Sequence, residues 1–345
     1  MIFSDEAALA AHIKEKKPLN VYWLYGDEGY LLDYYTKRLL SSMDIKSGAD
    51  MGAVKFDGET PLKEIIAEVI TPSWFAERKC IIVEDFPIYS QSAAQAEEFF
   101  EFVSEVPDFS VVIFKNLILD KKTRKGEEFT SAVKKMQKFC AVAQLLKRDD
   151  KGIVKFLKYE INKRGCDISP ADCRYFIERC GTDMYLLTGE IEKLCVAKKE
   201  GMITKSDIEN YTVPVLESGV YDMTKAMSRG NYKMSMKTLD ELLWQRVEPV
   251  AIVAALSGMY IDLYRAKIAK ESAMGKKDIL KLYDYKSNDF RVENALRDCG
   301  GYTLKSIVDS LEVLREADVA LKGSAVDKTV ILQRTVTKLF ECRKK

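Results

Sequence analysis

The sequence predicts an α/β domain followed by an all-helical remainder. Two observations carry that prediction: strand-like and helix-like runs alternate up to about residue 145, and beyond Gln144 only helical periodicity continues. Asn20 to Tyr25 (NVYWLY), Ala53 to Phe56 (AVKF), Lys79 to Val83 (KCIIV), Ser110 to Phe114 (SVVIF) and Lys138 to Ala143 (KFCAVA) are short runs rich in β-branched and aromatic residues, as buried strands are. Between them lie the helical stretches Tyr30–Ser42, Leu62–Ile70, Ala93–Ser104 and Glu127–Gln137. In the second of these, Leu62, Ile65, Ile66, Val69 and Ile70 keep the spacing of one apolar helix face. Repeated strand–helix alternation implies a parallel sheet with helices on both faces.

In the remainder, Lys151–Arg164, Pro170–Cys180 and Tyr185–Lys199 read as helices. Ser169 is placed to cap the second, with Pro170 at its first position, and Gly181 and Gly201 are placed to end helices. Thr204 to Asn210 reads as a short helix capped by Thr204. The stretch Thr212-Val213-Pro214-Val215-Leu216-Glu217-Ser218-Gly219 has the composition of a linker. From Val220 onward, long amphipathic segments such as Pro249–Lys270 and Thr303–Leu321 predict a bundle of about five or six helices. A chain of 345 residues is expected to form two or three domains. The predicted divisions are 1–145 for the α/β domain, 146–213 for a small helical domain and 214–345 for the bundle.

Hydrophobic residues make up 47% of the chain and charged residues 31%, which is a globular composition and not a disordered one. Lys+Arg (54) and Asp+Glu (53) nearly cancel, so any nucleic-acid contact must be local or shared with partner chains. The eight cysteines form no CxxC pair, which argues for buried free thiols over a zinc ribbon or a redox site; Cys173 and Cys180 fit one helix face. The opening residues carry no basic-then-apolar leader and no apolar run is long enough to span a bilayer, so a cytoplasmic location with reduced thiols is expected. His12 is the sole histidine and reads as a surface residue, which excludes a His-based triad or a His-rich metal site.

The order of elements fits a P-loop fold. Glu84 and Asp85 end an apolar strand where a Mg²⁺-binding acid would sit, and Asn116 ends the next where a γ-phosphate sensor would sit. The phosphate loop itself is missing. Tyr25-Gly26-Asp27-Glu28-Gly29-Tyr30 has neither the Lys nor the Ser/Thr that such a loop needs. Its two carboxylates would repel a polyphosphate by on the order of several kcal/mol at moderate effective dielectric. No nucleotide hydrolysis by this chain alone, no cofactor and no metal are expected. Asp27 and Glu28 are expected to face solvent or to cap the following helix.

Two surface features follow. In Thr71-Pro72-Ser73-Trp74-Phe75-Ala76-Glu77-Arg78-Lys79, Pro72 breaks the preceding helix and sets Trp74 and Phe75 side by side on a short turn. Either they pack beneath the helix or they form an exposed apolar contact patch. Lys121-Lys122-Thr123-Arg124-Lys125, with Lys134-Lys135 and Lys147-Arg148, form basic clusters that read as solvated loops or as phosphate contacts.

With these elements placed, the chain resembles the delta subunit family of the bacterial DNA polymerase III clamp loader. Four stretches carry the resemblance: Val21-Tyr22-Trp23-Leu24-Tyr25-Gly26-Asp27-Glu28 with Tyr30-Leu31-Leu32; Ser73-Trp74-Phe75-Ala76-Glu77-Arg78-Lys79; Gly189-Glu190-Ile191-Glu192-Lys193-Leu194 with Ile203-Thr204-Lys205-Ser206-Asp207-Ile208; and Val220-Tyr221-Asp222-Met223-Thr224-Lys225-Ala226 with Glu248-Pro249 and Ala317-Asp318-Val319-Ala320-Leu321-Lys322-Gly323. They span nearly the whole chain in the family's order. Gly189 stands where the family usually has Asn, and Trp74 where it more often has Leu.

The resemblance implies an AAA+-like first domain without a functional phosphate loop, a small helical lid and a C-terminal collar. It implies a non-catalytic subunit that binds and opens the sliding clamp (beta) for loading on primed DNA during replication. Its partners would be the gamma/tau ATPase subunits and the delta-prime subunit. By motif, Trp74 and Phe75 enter the clamp's pocket, framed by Ser73 and Ala76, while Lys121, Lys122, Arg124 and Lys125 are candidates to contact DNA. Two alternatives remain: a delta-prime-like or other inactive AAA+ scaffold, for which Glu178-Arg179-Cys180 would have to supply an Arg finger, and an atypical ATPase.

Overall fold

The structure is a computed structural model that describes residues 2–3, 6–43, 53–73, 78–285 and 289–343. The chain forms two compact units, Met1–Arg148 and Asp149–Lys345.

The first unit runs β1 (Ile2–Phe3), α1 (Glu6–Lys14), β2 (Val21–Gly26), α2 (Gly29–Ser42), β3 (Ala53–Phe56), α3 (Leu62–Ile70), β4 (Lys79–Glu84), α4 (Ala93–Ser104), β5 (Ser110–Leu117), α5 (Lys121–Lys125), α6 (Glu127–Phe139) and β6 (Ala141–Leu145). Its sheet has the order β1-β6-β2-β5-β4-β3, and every ladder is parallel. All six residues of β2 are buried, because a central strand of a two-sided parallel sheet has no wet face. Trp23, Phe114, Phe99 and Phe129 anchor the core on one side of the sheet, with Ile65 and Val69 from the predicted face of α3.

Two expectations are corrected here, and one strand was not expected at all. The strand expected at Lys138–Ala143 begins only at Ala141, because α6 carries on to Phe139 and the Cys140 N–H still donates to the Met136 carbonyl (2.9 Å). The two-residue β1, too short to show any periodicity, pairs with β6. His12 is half-buried and not a free surface residue: its Nε2 lies 2.8 Å from the Tyr22 hydroxyl, and burial lowers its pKa below 6.5.

The second unit runs α7 (Asp150–Asn162), β7 (Cys166–Ile168), α8 (Pro170–Cys180), α9 (Met184–Lys198), β8 (Gly201–Ile203), α10 (Lys205–Tyr211), α11 (Leu216–Ser228), α12 (Tyr232–Trp244), α13 (Pro249–Glu271), α14 (Lys276–Leu282) and α15 (Asp289–Asp298). A 3₁₀ turn (Cys299–Gly301), α16 (Leu304–Gly323) and α17 (Lys328–Arg343) complete it. Ser169 caps α8 through the Asp172 N–H, and Thr204 caps α10 through the Asp207 N–H, as predicted. The core gathers around α13, with Leu256 and Tyr260 packed among Val220, Met223, Ile307 and Leu332.

Strands do not stop at residue 144. β7 and β8 form a two-stranded parallel ladder, and Gly201 opens β8 at φ +92° instead of ending a helix. The bundle is also larger than predicted, with α11 to α17 following residue 213. The expected linker is shorter, since α11 already starts at Leu216. Gly219 is a packing glycine: a Cβ there would lie 2.8 Å from Leu242 Cδ2. All eight cysteines are free, seven of them buried, and Cys173 and Cys180 share the inner face of α8. Among the described residues no helix is long and apolar enough to cross a membrane.

Candidate functional site

In an open parallel sheet, ligands bind beyond the carboxyl ends of the strands, where the strand order reverses. Here that place is the end of β2, flanked by β5 and β6. Gly26 stands in register with Leu117 and with Leu145, and a Cβ on it would lie only 1.7 Å from the Leu145 carbonyl oxygen. Glycine is needed there to let β6 pass, not to cradle a phosphate.

Asp27 follows, and its side chain turns inward. Arg124 Nη2 donates to its Oδ2 at 2.8 Å, and the Lys147 N–H donates to its Oδ1 at 2.8 Å. Both side chains of the ion pair are largely buried, Asp27 at 12% and Arg124 at 7% exposure. Burial pushes the Asp27 carboxyl up, but the bonds from Arg124 and Lys147 outweigh it and hold its pKa below 3.8. The expectation that Asp27 faces solvent or caps a helix is therefore corrected. Glu28 does cap α2, accepting the Tyr30 N–H at 3.3 Å. Arg124 reaches Asp27 from α5, whose start is fixed by Asp120 accepting the Lys122 and Thr123 N–H groups. Lys121, Lys122 and Lys125 stay exposed.

Asp85 and Glu84, the acids read as a metal position, are also engaged. Lys115 Nζ, on β5, lies 2.7 Å from Glu84 Oε1 and 2.8 Å from Asp33 Oδ1 on α2. Burial disfavours the ammonium, yet the bonds from Asp33 and Glu84 prevail and raise its pKa. Asp85 adopts φ +55° and accepts the Leu117 N–H at 2.8 Å. Asn116 is 3% exposed; it accepts from Trp23 Nε1 (2.9 Å) and donates to the Phe86 carbonyl (2.8 Å), so it serves the core and not a ligand.

The second candidate lies between α3 and β4. Trp74, Phe75 and Ala76, with Glu77, lie outside the described residues, and Ser73 is the last described residue before them. The two flanks are tied together. Lys79 Nζ donates to the carbonyls of Glu68 (3.0 Å) and Thr71 (3.4 Å) at the end of α3 and pairs with the Glu68 carboxylate. A cation there suits the negative end of the helix. Ser110 Oγ adds a bond to the Val69 carbonyl at 2.7 Å, and Ile70 beside the turn is 57% exposed.

Arg179, the Arg-finger candidate, is committed elsewhere. Its Nε donates to Thr212 Oγ1 (3.0 Å) and its Nη2 to the carbonyls of Glu209 and Thr212 (both 3.2 Å), which holds the chain leaving α10. In the remaining basic cluster, Arg148 pairs with Glu6. Among the described residues no group of three or more His, Cys, Asp or Glu is placed to hold a metal ion. Sequence reasoning missed Lys115 and Lys79, although a signal was present: each is a lysine within an apolar strand run, and a buried lysine needs a partner.

The chain matches the family model for the DNA polymerase III delta subunit over residues 22–145, and the model for that subunit's C-terminal domain over residues 217–339. The DNA polymerase III subunit delta of Bacillus subtilis (strain 168) is 23% identical over 334 residues, which is 94% of each chain. The solved Bacillus subtilis DNA clamp loader delta protein superposes with a TM-score of 0.66 at 20% identity, covering 96% of this chain and 98% of that one. Two family models in the expected order, and a common fold along nearly the whole length, place the chain in the family of DNA polymerase III delta subunits.

Proposed function

We propose that this chain is the clamp-loader subunit that binds the sliding clamp and holds one of its interfaces open for loading on primed DNA, without hydrolysing ATP itself. The observation that carries the reading is the adjacent Trp74-Phe75 pair, set between α3 and β4 where Lys79 ties the two elements together. A wrench of this kind works by binding the open ring better than the closed one, so it needs an anchored apolar contact and no reactive group. The absence of hydrolysis is supported by Asp27, Glu84, Asp85 and Asn116, each already bonded within the chain.

In this reading residues 1–145 are the AAA+-like clamp-binding domain, 146–213 the lid, and 214–345 the collar that joins the gamma/tau ATPases and delta-prime. Ser73 and Ala76 frame the aromatic pair. Lys121, Lys122 and Lys125 are the exposed cations of their run offered for phosphate contact, while Arg124 is paired with Asp27. The test is equilibrium binding of the full chain to its cognate clamp. Trp74→Ala and Phe75→Ala should each weaken binding by about 2 kcal/mol, roughly 30-fold. An unchanged affinity in the double variant would overturn the assignment. Tight, Mg²⁺-dependent binding of a labelled ATP analogue to the wild-type chain would overturn the non-hydrolysing part.

A further inference from the structure

We propose that the carboxyl edge of the first unit's sheet is filled by the chain's own counter-ions: the Lys115 ammonium holds the place of a divalent cation, and the Asp27 carboxylate holds the place of a phosphate. This rests on the reading that the subunit does not use ATP, and adds how the nucleotide and its metal are kept out.

The cation half stands on three elements that meet at one atom. Glu84 ends β4, Asp33 lies on α2 one turn past the β2–α2 turn, and Lys115 rises from β5 between them. Its Nζ lies 2.7 and 2.8 Å from the two carboxylates, so the point between them that a metal ion would take is already occupied by a cation, which neutralises one of the two negative charges. The anion half mirrors it. Arg124 offers a planar fork suited to a phosphate or carboxylate, and Asp27 already takes one arm of it at 2.8 Å. The other arm, Nη1, is buried and has no acceptor among the described residues, so the fork can hold more than Asp27 gives it. Exclusion is thus by occupancy: both charges that a metal–polyphosphate would bring are present as side chains. The corollary is that removing either internal ion exposes a site for a free ion of the same sign.

The experiment uses the full chain and follows its unfolding midpoint in millimolar MnCl₂ or MgCl₂, or in sodium phosphate. Lys115→Ala should gain a midpoint increase of about 2 °C or more with either divalent salt. Wild type and Lys115→Arg should not respond, and Lys115→Ala/Glu84→Gln should lose the gain. Asp27→Ser should gain a comparable response to inorganic phosphate, and Asp27→Ser/Arg124→Gln should lose it. A folded Lys115→Ala blind to divalent cations, or a folded Asp27→Ser blind to phosphate, overturns that half of the proposal. If Lys115→Ala folds only in the presence of a divalent cation, that rescue supports it; if no cation rescues it and a folded Lys115→Gln is also blind, the cation half fails. Ion-blind variants leave the non-hydrolysing reading standing, whereas tight Mg²⁺–nucleotide binding by wild type removes that reading itself.

Discussion

The ammonium of Lys79, the first residue of β4, is hydrogen-bonded at 3.4 Å to the carbonyl of Thr71, the residue that closes α3. The end of α3 and the start of β4 are therefore tied to each other, and the residues between these flanks in the sequence include Trp74 and Phe75. In the proposed function, flanks fixed in this way would reduce the entropy lost when the aromatic pair binds the clamp.

Replacing Lys79 by Met should consequently act on both stability and clamp affinity. Losing the bonds to Glu68 and Thr71 should cost about 1–3 kcal/mol in urea denaturation. Clamp affinity should fall by about tenfold although both aromatic residues are intact. Lys79→Arg should fall between Lys79→Met and wild type on both measures. A Lys79→Met variant that is destabilised but binds the clamp as wild type does would show that the flanks have no part in presentation.

Asp27 gives an acid limb to the stability profile. Its folded pKa is held below the usual 3.8, so its contribution is complete above about pH 4 and is lost as pH falls through the lowered value. Urea midpoints measured from pH 6 down to pH 2.5 should show this loss in the wild type, with a flatter limb in Asp27→Asn. At neutral pH the Asn variant should be less stable by about 3 kcal/mol, because Arg124 is left buried without its counter-charge.

Asn116→Leu tests whether that residue serves the core. It would leave the Trp23 indole N–H and the Phe86 carbonyl unpaired in the interior, at a cost of about 1–3 kcal/mol for each. Chemical denaturation followed by tryptophan fluorescence would report it. A loss below about 1 kcal/mol would show that these groups find other partners.

Two glycines should respond in opposite ways. Gly26→Ala drives a Cβ into the Leu145 backbone and should destabilise the first unit by about 1–3 kcal/mol or more. Gly189 is exposed within α9 and a Cβ there meets nothing within 4 Å. Gly189→Ala should therefore stabilise by about 0.5–1 kcal/mol through helix propensity and reduced unfolded-chain entropy. Thermal unfolding of both variants would check the signs.

Much of the fold was legible because it is written in periodicity and caps. Leu62–Ile70 and Ala93–Ser104 were read to the residue, and Ser169, Pro170 and Thr204 marked helix starts through local hydrogen bonds. What escaped had no local signal. β1 and β7 are strands of two and three residues whose existence depends on a ladder partner far along the chain, β6 and β8 respectively. Ser218 and Gly219 looked like linker residues, yet they are buried in α11 because Gly219 lets Leu242 come close.

The alternation of strands and helices, the missing phosphate loop, the aromatic pair after Pro72 and the family resemblance can all be read along the chain. Those are properties of residue type and spacing along the chain. Where the charges go is a matter of packing: Asp27 meets Arg124 across 97 residues and Lys115 meets Asp33 across 82, while the backbone N–H of Lys147 returns to Asp27 across 120. Which opposite charge lies within hydrogen-bond reach is set by how strands and helices pack, and neither composition nor spacing carries that information. A nearly neutral chain can thus bury Asp27 and Arg124 against each other at the end of β2, which its overall charge balance does not reveal.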